Sequence, residues 1–145
     1  MKLNNITSEL LFLGCSVKKM DVNNHLISLS DNVEKSFGMD IEPIRLEENE
    51  DGFYGEITLL VEVVLDENGE FESSIKMEIN GAFRAEKDNM TEEKFKKLVL
   101  VNGAAALYSI ARSKIEVISG MIFFKGKLIL PFVNMCNFYR DKFSE

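Results

Sequence analysis

The chain has 145 residues, 46% hydrophobic and 28% charged, which is the make-up of one globular domain able to bury about 68–70% of its unfolded surface. Its net charge of −7 argues against nucleic acid, whose phosphates demand a basic face, and suits solubility or a basic protein partner. Two cysteines, Cys15 and Cys136, stand far apart with no CxxC or zinc spacing, and read as buried reduced thiols.

The opening MKLNNITSELLFLG is too polar at its start, and too short in its apolar run, to read as a signal peptide. No apolar run approaches the length of a membrane span, so no membrane insertion is expected and a cytoplasmic protein is the simple reading. Residues 8–20 alternate loosely as a first strand, with Leu11, Leu13, Cys15 and Val17 on one face and Leu10 and Phe12 on the other. Residues 21–39 are polar and turn-rich and read as a crossover or long loop, in which Leu26, Ile27 and Leu29 could cover apolar surface. A second strand is expected at about 41–48, where Pro43 suggests an edge or a bulge.

The strongest local signal follows. Ile57, Leu59, Val61, Val63 and Leu65 share one face at period two, with Glu56, Thr58 and Glu62 opposite. Asn68-Gly69 supplies the positive φ that tight hairpins need. The return strand puts Phe71, Ser73, Ile75, Met77, Ile79, Gly81 and Phe83 on the same buried face, and Glu70, Glu72, Lys76, Glu78 and Arg84 on the solvated one.

Thr91 is an N-cap residue followed by acidic Glu92 and Glu93, which opens a helix carrying Phe95, Leu98 and Val99. Asn102-Gly103 is expected to break or kink it, and the main helix to run over about 104–119, with Gly120 as terminator. That helix has two apolar stripes: Ala104, Tyr108, Ala111, Ile115 and Ile118, and then Leu107, Ile110, Val117 and Met121. One sheet covers one side of a helix, so the second stripe is either inserted deeper into the core or is a subunit interface; the modest sheet favours the interface. Residues 121–133 read as extended, with Lys125-Gly126-Lys127 as a hairpin tip, and 134–143 as a short amphipathic helix.

Catalytic machinery is not evident. There is one histidine, and no GxSxG, Gly-rich phosphate loop or HExxH. A thiolate pair of Cys15 with His25 would be the basis of a small enzyme, against the plainer reading of a surface histidine and a buried strand cysteine. Glu47, Glu48, Glu50 and Asp51 lack EF-hand spacing and read as a solvated turn, so no metal and no cofactor is expected.

The C-terminal part resembles the SecB family of protein-export chaperones. Residues 79–83 (INGAF) are similar to the family's Gly-x-Phe ending of the last strand, and residues 107–112 (LYSIAR) to its Leu-Phe-Pro-Tyr-Ala-Arg helix, with Ser109 and Ile110 replacing proline and tyrosine. Residues 128–139 (LILPFVNMCNFY) resemble its Leu-Leu-x-Pro-Val-Asn-Phe-x-x-Leu-Tyr ending, with Phe132 intruding and Met135 replacing phenylalanine. MIFFKGK stands where the family carries a Gly/Pro-rich loop, and the chain stops soon after Tyr139, without the acidic zinc-binding tail that many members use to engage SecA.

The resemblance implies an α+β fold: a four-stranded antiparallel sheet with a long C-terminal helix on one face and a short final helix. One domain is expected over 1–145, its sheet over about 8–86 and its helical part over about 91–143. It also implies a non-enzymatic, ATP-independent chaperone that holds unfolded or precursor polypeptides on apolar grooves of a dimer or dimer of dimers. SecA, or one dedicated client such as an antitoxin, is the further partner that the resemblance suggests. The residues expected at the client groove are Leu11, Leu13, Phe123, Phe124, Leu128 and Leu130, flanked by Met135 and Phe138; each is equally compatible with a place in the core.

Overall fold

The structure, a computed structural model, describes residues 9–69 and 71–143. The expected strand start at Ser8, the outward Glu70 and the side chain of Phe71 lie outside what is described. The order of elements is β1 (Leu11–Asn23), β2 (Val33–Asn49), β3 (Gly52–Glu67), β4 (Phe71–Ala85), α1 (Glu92–Leu98), a π-helical turn (Val99–Gly103), α2 (Ala104–Ile122) and α3 (Met135–Phe143). The strands form one antiparallel sheet in the order β1-β4-β3-β2.

The β3–β4 hairpin forms where the period-two pattern places it. Asn68 and Gly69 take φ of 58° and 73°, the consecutive left-handed pair whose twist matches a two-residue hairpin. Register sets Leu59 opposite Ile79, Val61 opposite Met77 and Val63 opposite Ile75, all buried, each stabilising by about 1.5–3 kcal/mol. On the outer face Lys76 meets Glu62 at 3.6 Å, and the Thr58 hydroxyl donates to Asn80 Oδ1 at 2.6 Å.

Two strands differ from the expectation. β2 begins at Val33, so only residues 24–32 cross from β1 to β2. Val33, Phe37, Met39 and Ile41 do alternate onto the core face, but Lys35 among them disguises the pattern. Pro43 sits at an edge strand beside a bulge at Ile44, as its ring requires. β1 carries two register shifts, at Leu13 and Lys18. Each extra residue exchanges the faces, so Phe12, Cys15, Val17, Met20 and Val22 share the core side, opposite Phe83, Gly81, Ile79, Met77 and Ile75.

Thr91 caps α1, its hydroxyl accepting from Lys94 N at 3.1 Å, and Phe95 stacks on Phe53 with ring centroids 5.3 Å apart. The helix does not break at Asn102-Gly103; it widens into the π turn and continues. Two glycines explain how closely it lies on β4. A Cβ on Gly103 would come within 2.9 Å of the Phe83 ring, and one on Gly81 within 2.6 Å of Leu107. Gly120 lies inside α2, which ends two residues later because Phe123 turns extended.

Residues 123–134 are not a hairpin. They return along α2, held by the Ser119 hydroxyl accepting from Leu128 N, and by Arg112 Nε and the Tyr108 hydroxyl donating to the carbonyls of Leu130 and Pro131. Burial raises the Tyr108 pKa against the opposing pull of nearby Arg112, which keeps its hydroxyl a donor. Asn134 Oδ1 then accepts from Asn137 N and starts α3, whose Lys142 ends against β2, donating to the Asp40 carboxylate and to the Ile41 carbonyl.

Replacing Gly81 by valine should cost about 1–3 kcal/mol through overpacking, read as a lower urea midpoint at unchanged slope. The hydrogen bond from Lys142 holds the Asp40 pKa below its ordinary 3.8. A depressed carboxyl stabilises the fold above its unfolded pKa and loses that as pH falls through the folded one. The melting-temperature gap between wild type and Asp40→Asn should therefore be constant at neutral pH and close below pH 3.8.

Candidate functional site

The core face of the sheet is unevenly covered. α2 lies over β4 and β3, with Leu107 against Gly81, and the return segment leads to α3 at β2. β1 is left bare. Its core-face Met20 and Val22 remain 45% and 41% exposed, although their partners Met77 and Ile75 are buried.

α2 is bare on the side away from the return segment. Tyr108 and Arg112 hold that segment on one flank, and 100° per residue puts Val117 and Met121 on the other, 61% and 79% exposed. Phe124, at the end of this flank, donates its backbone N–H to Ile27 of the crossover, and both side chains stand about four-fifths exposed. Val22 leads into the crossover, Ile27 lies on it, and Met121 precedes Phe124 by less than a turn. These six apolar side chains border one open side of the molecule. Exposed apolar side chains gathered toward one side of a fold mark an interaction site more often than single scattered ones do.

Of the expected groove residues, Leu11, Leu13 and Phe124 are at the surface, and Phe138 is half-buried near the Phe143 ring. Phe123, Leu128, Leu130 and Met135 are instead core. The pinned return segment turns Leu128 and Leu130 inward, while Ile129 between them faces out. The stripe expected at a subunit interface also divides: Leu107 is fully buried, Ile110 half-buried, and Val117 and Met121 free. Met20 and Val22 were not singled out from the sequence, because the bulges displace the alternation of β1; of the crossover residues expected to cover apolar surface, Leu26 is buried whereas Ile27 is exposed. Phe132, 90% exposed, is a second apolar projection, with the Arg112 guanidinium 4.6 Å above its ring.

The pairing of Cys15 with His25 is not formed. Cys15 lies opposite Gly81, whereas His25 N donates to the Ser73 hydroxyl, eight residues along β4, roughly 25 Å at strand rise. Both cysteines are exposed free thiols, not the buried ones expected. In the acidic hairpin, Glu47 pairs with Arg45 and Glu48 with Lys87, and no group of three metal-ligating side chains occurs among the described residues. A hollow of about 350 Å³ on the outer face holds Asp21 and Glu62, answered by Lys19 and Lys76.

No helix among the described residues is long and apolar enough to cross a membrane. No family model matches the sequence, and no curated protein matches it. The fold is similar to that of the Mycobacterium tuberculosis SecB-like chaperone Rv1957, in complex with a ChAD peptide from the Rv1956 HigA1 antitoxin. The TM-score is 0.64 at 12% identity, over 86% of this chain and 90% of that one. A protein of unknown function from Streptococcus agalactiae gives a TM-score of 0.48 at 10% identity, over 85% of this chain and 97% of that one. At 12% identity the likeness to Rv1957 is one of fold: the α+β, SecB-like architecture.

Truncating Leu130 to alanine should cost about 2–5 kcal/mol, whereas Val117→Ser and Phe124→Ser should stay within about 0.5 kcal/mol of wild type in urea unfolding.

Proposed function

We propose that this chain is a SecB-like chaperone that holds unfolded or precursor polypeptides without ATP and hands them on for export, in the cytoplasm. The observation that carries this reading is the open apolar side made by Met20, Val22, Ile27, Val117, Met121 and Phe124 on a chain whose outer sheet face is charged. Such a surface gains affinity from apolar area and not from fixed polar contacts, which suits varied clients. Its Met20 can reshape around different side chains. The fold shared with Rv1957 supports the reading. Leu11, opposite Arg84 on the outer face of β1, and the neighbouring Leu13 are a separate client contact in this proposal, away from Met20 and Val22. Ile110, Val117 and Met121 serve self-association as a dimer or dimer of dimers, with adjoining apolar residues left to clients.

The antitoxin peptide in the Rv1957 complex favours a second reading, a chaperone devoted to one partner such as an antitoxin and working without SecA. The two readings part on promiscuity. Light scattering of several chemically denatured enzymes should show suppressed aggregation at near-stoichiometric subunit ratios, unchanged by ATP. Suppression of none by the folded protein overturns the general reading and leaves the dedicated one. Size exclusion with light scattering should give a mass above that of the monomer, lowered by Val117→Asp with Met121→Asp; a strict monomer overturns the assembly proposed here.

A further inference from the structure

The crossover between β1 and β2 is held down at few points. At its start His25 N donates to the Ser73 hydroxyl at 2.8 Å, and the Asn24 side chain bonds both the N–H and the carbonyl of Leu26. Among the described residues, only two hydrogen bonds join residues 26–31 to another part of the chain. Phe124 N donates to the Ile27 carbonyl at 2.8 Å, and Leu29 N to the Lys125 carbonyl at 2.9 Å. Both lie outside any strand ladder.

The other side of this seam is fixed. Residues 124–127 hang between Phe123 and Leu128, whose N–H groups both donate to Ser119, one to its carbonyl at 3.1 Å and the other to its hydroxyl at 2.7 Å. At the seam each segment turns one large apolar side chain in and the next one out: Leu26 and Phe123 are buried, Ile27 and Phe124 exposed. Gly126 allows the close fit. Its φ is 94°, and a Cβ there would come within 2.7 Å of the Leu29 carbonyl oxygen.

We propose that residues 26–29 of the crossover are a gate, latched by these two hydrogen bonds, that swings off the return segment to admit an unfolded client. The proposal rests on the chaperone reading and adds a closed state to its surface. Shut, the seam offers a client Ile27 and Phe124; open, it adds Leu26 and Phe123, and that difference lets a client favour the open form. Closing competes with binding, so the apparent affinity is lowered by the fraction of molecules that are open. Two backbone hydrogen bonds hold such an equilibrium shut on the order of tenfold. Opening breaks no ladder and no helix, which keeps it local.

Residue-resolved amide exchange on the wild-type protein should show Leu29 and Phe124 opening together, at least about a hundredfold more often than Met77 and Ile79 of the central strand β4. Gly126→Val should free both amides and leave those of β4 as protected as before. The same variant should bind fluorescein-labelled, reduced and carboxymethylated α-lactalbumin at least about threefold more tightly by anisotropy, because closing no longer competes. The gate is overturned if the two amides open independently or only together with β4, if Gly126→Val leaves them protected, or if it frees them while affinity stays the same or falls. Binding of the labelled probe by neither form sinks the chaperone reading along with the gate, whereas binding that the variant does not tighten removes the gate alone.

Discussion

The molecule depends on how closely α2 lies on β4. Gly81 and Gly103 remove the side chains that would otherwise hold the helix away, and Leu107 and Phe83 fill the space. That approach, tighter than a Cβ at either position would allow, fixes the roll of α2 about its own axis. Roll decides the rest: Tyr108 and Arg112 are delivered to the carbonyls of the return segment, and Val117 and Met121 are turned the opposite way. The core and the bare flank are consequences of one contact.

The return segment shows how backbone satisfaction governs which apolar residues are spare. Residues 123–134 form no regular ladder, yet their polar groups are answered by Ser119, Arg112 and Tyr108 from the helix and by the crossover through Phe124 and Lys125. An irregular strand so pinned can bury alternate side chains, and Leu128 and Leu130 go in. Ile129 and Phe132, on the other side of the same backbone, stay out. The ion pair of Lys142 with Asp40 ties the end of α3 to β2 and at the same time closes that edge of the sheet.

Much of this was legible in residue order. The β3–β4 hairpin follows from a period of two and an Asn-Gly pair, both local properties of the chain. The start of α1 follows from the Thr91 cap, and the edge position of β2 from the missing N–H of Pro43. Resemblance of the chain from Ile79 onward to SecB proteins led to the same α+β arrangement that the structural comparison shows. Less legible were elements whose pattern is interrupted: β1, where two bulges exchange faces, and the start of β2, where Lys35 occupies a core-face position.

What the sequence by itself determined, then, is the set of elements and which residues are apolar enough to need a partner. Which of them obtain one was decided only by the tertiary structure. Leu107 and Val117 belong to one stripe in sequence, yet one is fully buried and the other bare, because a glycine 26 positions before Leu107 admits it to the sheet and nothing does so for Val117. Burial depends on contacts between residues far apart in the chain, and no local period carries that information. Exposure of Met20, Val22 and Ile27 has the same origin: they border the part of the sheet that α2, once seated on β4, is too narrow to cover.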